Sequence, residues 1–141
     1  MLVRLMYASR ATAPLKPETL NAILKKSTTN NPAAGVTGVL CFSGDIFLQV
    51  LEGGRSQVRA LYNRIARDER HRDVVLLSYD EIEERSFAGW SMGQVNMSRL
   101  NPALLLKYSE TAVLDPYAVS GKVSKALFDE LVATASVMCL T

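Results

Sequence analysis

Apolar positions along this chain fall into two kinds of run. The first kind is almost continuous and lies in the middle. Val39, Leu40, Cys41 and Phe42 form one such run, and Ile46, Phe47, Leu48, Val50 and Leu51 form the other. Between them stand Ser43, Gly44 and Asp45, turn residues between two β-rich segments. That order predicts a hairpin, with strands over about Val36 to Phe42 and Ile46 to Glu52. Runs apolar on both sides predict a sheet covered on both faces. One polar residue interrupts them. Gln49 has the parity of Phe47 and Leu51, so it points to a buried face. A buried amide must find partners for two donors and a carbonyl. Either backbone groups or a surface gap supply them, or Gln49 meets a ligand.

The second kind of run repeats with helical spacing. Leu20, Ile23, Leu24 and Ser27 fall at i, i+3, i+4 and i+7, one face of a helix over about Pro17 to Thr28. Pro17 suits its first turn and Glu18 is favourable there. Asn30 and Asn31 are expected to end it, and Pro32 to forbid its return. Two asparagines there read as simple caps. Paired amides also complement an imide edge, the CO–NH–CO group of a uracil or a flavin. Val58, Leu61, Tyr62 and Ile65 repeat the stripe in a second helix, about Arg55 to Asp68. Its outer face is basic, with Arg55, Arg59, Arg64 and Arg67.

The remaining elements flank these. Val3 to Ser9 predicts a first strand, with Val3, Leu5 and Tyr7 on one face. Tyr7 reads as a core tyrosine whose hydroxyl finds one partner. Asp68 to Asp73 is expected to be a charged loop holding the single histidine, His71. Strands are expected at Val74 to Tyr79 and Trp90 to Val95, with Trp90 and Met92 as core filling. A short helix follows over Asn101 to Tyr108, and a final one over about Val119 to Val137, with Val123, Leu127, Leu131 and Ala135 every fourth residue. Strand, helix, strand, strand, helix, strand, strand is a ferredoxin-like α+β core with a five-stranded mixed sheet. The first two helices cover one face, and the two C-terminal helices are the only candidates for the other. Parity gathers Tyr7, Gln49 and both helix stripes on one side. A groove between the two helices, floored by Tyr7 and Gln49, could hold a flat apolar ligand.

Composition narrows the classes. A chain of 141 residues, 48% hydrophobic and 21% charged, is one globular domain with a real core. A net charge of +2 with no basic run argues against direct nucleic-acid binding. Cys41 and Cys139 stand far apart, and no CxxC or histidine-rich spacing exists, so no metal site is expected. There is no signal-like segment or long apolar span, so a cytoplasmic location with no membrane partner is expected.

Six segments in this order resemble the BLUF family of flavin-binding blue-light sensors. They are YAS at Tyr7 to Ser9, SxxNN at Ser27 to Asn31, GVTGVL at Gly35 to Leu40, FLQVLEG at Phe47 to Gly53, DERH at Asp68 to His71, and RSFAGWSM at Arg85 to Met92. Each alone is weak, and their order and spacing together are specific. The resemblance runs from about Val3 to Val95 and continues weakly through LKYS at Leu106 to Ser109. It implies a flavin-binding domain over residues 1–97 and a helical extension over 98–141 packing on the sheet.

Carried over residue by residue, the resemblance implies that Tyr7 is the redox-active tyrosine and Gln49 the switching glutamine beside it. Asn31 would hold the imide edge, with Asn30 and Ser27 close by. Ile23 and Ile65 would sandwich the ring from the two helices, and Leu40 and Phe47 would line the floor. Asp68, Arg70 and His71 match the end of the pocket. Trp90 and Met92 would relay the change toward the C-terminal part. The implied cofactor is FAD, with FMN or riboflavin as variants. The implied activity is reversible photochemistry rather than turnover.

Three rivals are open to test. A flavin-dependent oxidoreductase needs access for substrate, and no dinucleotide fingerprint is present. An acylphosphatase-like hydrolase could press Arg10 and Asn31 into service, but no glycine loop follows the first strand. A pure interaction module would bind no chromophore. No output enzyme is recognisable in the chain, so an effector protein is the expected partner. A homo-oligomer is also expected, because the C-terminal helices carry apolar residues to cover.

Overall fold

The structure, a computed structural model, describes residues 1–14, 16–89, 91–96, 100–113, 115–133 and 138–140, with only the backbone described at 28, 132 and 138–140. In chain order the elements are β1 (Leu2–Ala11), α1 (Pro17–Ala34), β2 (Thr37–Ser43), β3 (Ile46–Gly54), α2 (Arg55–Arg67), β4 (His71–Ile82), β5 (Met92–Asn96), α3 (Pro102–Tyr108), α4 (Gly121–Ala133) and β6 (Met138–Leu140).

The strands form one mixed sheet in the order β4-β1-β3-β2-β5-β6. β1 is antiparallel to both β3 and β4. β2 is antiparallel to β3 and parallel to β5. This is the expected ferredoxin-like α+β core with its five strands. A short sixth strand is added where Gly93 pairs with Cys139. The last helix is described over Gly121 to Ala133, starting later than expected, and residues 134–137 of the expected helix, Ala135 among them, lie outside the described residues. A stripe every fourth residue carries no information about a free sheet edge. β5 has one, and a three-residue strand covers it.

Each sheet face is buried. On one side Val3, Leu5, Phe47 and Leu51 pack with Leu24 of α1 and Val58 of α2. On the other, Met6, Val39, Leu48 and Val50 pack with Leu105 of α3 and Leu127, Phe128 and Leu131 of α4. Phe87, between β4 and β5, meets Phe128 edge-on with centroids 5.3 Å apart. Burial on that second face pushes the Cys41 thiol up to about 12, so it stays a small apolar group.

α1 is longer than its sequence signals. It runs through Asn30, Asn31 and Pro32 and ends at Gly35. Proline's fixed φ is itself helical, so the helix passes through Pro32 at the cost of its missing donor and of ring crowding against the preceding turn. Gly35 stops the helix at φ +68, and its N–H closes onto the carbonyls of Asn31 and Pro32, a left-handed C-cap. β4 also starts earlier than expected. β1 continues to Ala11, which pairs with His71, so the neighbouring strand draws the charged segment into the ladder.

Candidate functional site

α1 and α2 lie over β1, β3 and β2 and leave a cleft between them. It encloses about 900 Å³ of empty space, part of it open to solvent. Tyr7, Leu40, Phe47 and Gln49 line it from the sheet, and Met92 from β5. Ile23, Ser27, Asn30 and Asn31 line it from α1, and Ile65 from α2. Asp68, Arg70 and His71 line it from the end of α2 to the start of β4. Every ligand-contact residue expected from the sequence therefore borders one cavity, joined by Met92. Trp90, expected beside Met92, lies outside the described residues.

Tyr7 and Gln49 are direct cross-strand partners on β1 and β3. Both are buried, and the Tyr7 hydroxyl donates to Gln49 Oε1. The Gln49 amide donates in turn to Met92 Sδ at 3.4 Å. Among the described residues, the partners of Gln49 are thus side chains bordering the cleft. Burial raises the Tyr7 phenol well above its ordinary value, with Tyr62 adding to the rise. Tyr62 of α2 contacts the Tyr7 ring edge-on at 5.6 Å. The phenol is held neutral, and the Gln49 carbonyl is the acceptor of its proton in this hydrogen bond.

The polar residues of α1 hold different stations. Asn31 is 4% exposed, and its amide donates to the Ser91 carbonyl at 3.0 Å. Asn30 borders the cleft but is exposed. Ser27 donates back to Ile23 O within its own helix at 3.1 Å, which leaves its oxygen lone pairs available. The asparagines are therefore positions on a helix face, not caps beyond its end.

Between α2 and β4, Asp68 accepts from the Arg70 backbone N–H at 2.9 Å and from its guanidinium at 2.7 Å. Those bonds hold the Asp68 carboxyl well below the usual range. His71 is the first residue of β4, not a loop residue. Its Nδ1 lies 2.9 Å from the Oγ of fully buried Ser9, and its ring packs 5.2 Å from Phe47. Burial lowers its pKa; Asp68 opposes that shift and Arg70 adds to it.

Sequence reasoning placed Arg64 on the outer face of α2 and passed over Lys26; both are exposed cations that border the cleft, from α2 and α1. It also missed the cleft residues Ala34 and Leu61 as such. A signal existed. Ile23, Lys26, Ser27, Asn30, Asn31 and Ala34 fall at i, i+3, i+4, i+7, i+8 and i+11, one continuous helical stripe. Among the described residues no group of His, Cys, Asp and Glu could hold a metal ion. No described helix is long and apolar enough to cross a membrane.

Comparison with known proteins identifies the family of the chain and relatives of its fold. The family described as sensors of blue-light using FAD matches residues 2–93. A photoactivated adenylate cyclase subunit beta from Euglena longa is 37% identical over 92 residues, 64% of this chain. This chain covers only 11% of that relative's length. Among solved structures, BlrB in its dark state superposes with a TM-score of 0.80 at 29% identity, over 94% of this chain and 96% of that one. The photo-activated state of BlsA gives 0.80 at 30% identity, over 94% of this chain and 95% of that one. Both superpositions reach beyond residue 93 into the C-terminal elements.

Proposed function

Because this chain belongs to the BLUF family of flavin-binding blue-light sensors, we propose that it is a photoreceptor working through Tyr7 and Gln49, and that its output is a protein partner. The observation that carries the reading is the buried chain of bonds from Tyr7 to Gln49 to Met92. It links a redox-active phenol to β5 through one rotatable amide.

The cleft suits a flavin. Ile23 and Ile65 offer aliphatic walls from the two helices, and Asn31 offers a buried amide for the imide edge. Lys26, Arg64 and Arg70 border the cavity and favour a phosphorylated form, FMN or the FAD assigned here, over riboflavin. A flavin held by these residues would supply an oxidant that operates only under blue light. Tyr7 is the electron source, and its proton leaves along the bond to Gln49. When electron and proton return, Gln49 can remain turned or tautomerised. Its bonds to Tyr7 and Met92 are then exchanged, and β5 experiences the difference as a population shift.

On this reading residues 1–97 are the sensing module and 98–141 the extension that passes the change on. The chain acts in the cytoplasm as a sensor without turnover. Leu106 and Val113 are exposed apolar residues of the extension, available for an effector or a second copy to cover. The test is a visible spectrum of the purified protein before and after blue light. A yellow protein with a reversible red shift is expected. A colourless protein, or one that is bleached in darkness by NADH with turnover, would overturn the reading, the latter in favour of a flavin-dependent oxidoreductase.

A further inference from the structure

Glu52 ends the apolar run of β3 and is completely buried. It has the parity of Leu48 and Val50, which face away from the cleft. A buried carboxylate persists only where it is paired and fully bonded. Arg4, its cross-strand partner on β1, donates from Nε at 2.9 Å and Nη2 at 2.7 Å. The backbone N–H groups of Ser86 and Phe87 each donate to its Oε1 at 2.9 Å. Arg4 Nη2 also donates to Ser86 Oγ at 2.6 Å. One carboxylate thus pins two consecutive residues of the connector between β4 and β5.

The other end of that connector meets the cleft. The Ser91 carbonyl accepts from Asn31, and Met92 Sδ accepts from Gln49. The stretch from Phe87 to Met92 is short, so the pinned end restricts where β5 can present these two acceptors. Both ends are held by the same strand, β3, through Glu52 on one face and Gln49 on the other.

We propose that Glu52 is a positioning residue for the light response. It touches no ligand. It fixes the connector so that Ser91 stands within reach of Asn31 and Met92 within reach of Gln49. The proposal rests on the photoreceptor reading above. It differs from a purely structural ion pair in one respect. A structural pair would alter stability alone, whereas a positioning residue alters the restoring partner of Gln49 and hence the return from the lit state.

The experiment measures dark recovery of the red-shifted absorption and Tm in four proteins. Glu52→Gln keeps the size and one carbonyl acceptor and removes the charge. Arg4→Lys keeps the cation and removes the two-nitrogen fork, a milder change should Glu52→Gln fail to fold. Gly121→Ala is the control: a Cβ there would stand nearest the Leu77 backbone of β4, and none of its nearest neighbours belongs to the connector. Wild-type protein is expected to shift and recover. Arg4→Lys and Glu52→Gln are expected to retain flavin and recover at least about threefold faster, with the control at the wild-type rate. Lower Tm with wild-type recovery in both clamp variants would overturn the proposal and leave the photoreceptor reading standing. Absence of any red shift in the wild-type protein would remove that reading, and this proposal with it.

Discussion

Tyr7 and Gln49 stand opposite each other on β1 and β3, and the phenol donates to the amide carbonyl inside the core. Each is the other's partner, so removing either should end the photochemistry while the fold survives. Tyr7→Phe leaves the Gln49 carbonyl without this donor, a loss of about 1 kcal/mol. Gln49→Leu keeps roughly the volume and removes the switch. Both variants are expected to bind flavin and to show no reversible red shift in light-minus-dark spectra. Tyr7→Phe should also fluoresce more brightly, since its quencher is gone. A wild-type red shift in Tyr7→Phe would sink the mechanism.

Asn31 and Asn30 are adjacent but not equivalent. Asn31 is buried and bonded to the Ser91 carbonyl, whereas Asn30 is exposed. Asn31→Ala should weaken flavin binding roughly tenfold, as expected for a lost hydrogen bond in a desolvated site. Asn30→Ala should change it much less. Flavin titration of the two apoproteins decides. Equal losses would contradict the assignment of the imide edge to Asn31.

Met92 offers Gln49 a weak acceptor, its sulfur. Met92→Leu keeps the apolar volume and removes that acceptor, with a stability change expected within about 1 kcal/mol. The red shift should persist while the recovery rate changes. Unchanged recovery would show that Gln49 does not work against Met92.

Acid should destabilise the protein in two stages. Unfolded His71 takes a proton near the ordinary value of about 6.5. Burial keeps the folded His71 neutral there. The unfolded chain then binds more protons, so stability present above that pH is eroded as pH falls through it. Asp68 follows lower down. Its bonds to Arg70 depress the folded pKa, so its contribution is full above the ordinary carboxylate value and is lost as pH falls below it. Arg70 is half exposed, so this second stage should be worth only a few tenths of a kcal/mol. Tm measured against pH should lose its upper stage in His71→Gln and its lower stage in Asp68→Asn.

Gly121 starts α4 where the helix meets β4. A Cβ there would stand 2.2 Å from the Leu77 carbonyl oxygen, a backbone atom that cannot turn aside. Gly121→Ala should therefore cost about 2 kcal/mol, read as a lower Tm. Flavin affinity should hold, because the cleft lies on the opposite face of the sheet. A Tm equal to wild type would mean that α4 shifts freely on β4.

Much of this was legible in the chain because it is local. The hairpin around Ser43 to Asp45, the stripes of α1 and α2, and the parity that turns Tyr7 and Gln49 to one face all follow from spacing within a single element. The segment order then leaves few ways to close the sheet. The extension of α1 through Pro32 was not legible, since proline usually breaks a helix, and its end is decided by Gly35. Nor was the start of β4 at His71, which requires β1 to reach Ala11 as a template. The same holds for β6, which exists because β5 has an edge to cover. Ser9 beside His71 and Glu52 between Arg4 and the connector join residues dozens of positions apart. Periodicity records which face a side chain occupies and not which partner waits there. That choice is made when the strands pair, because a buried polar group accepts only an arrangement that satisfies its hydrogen bonds.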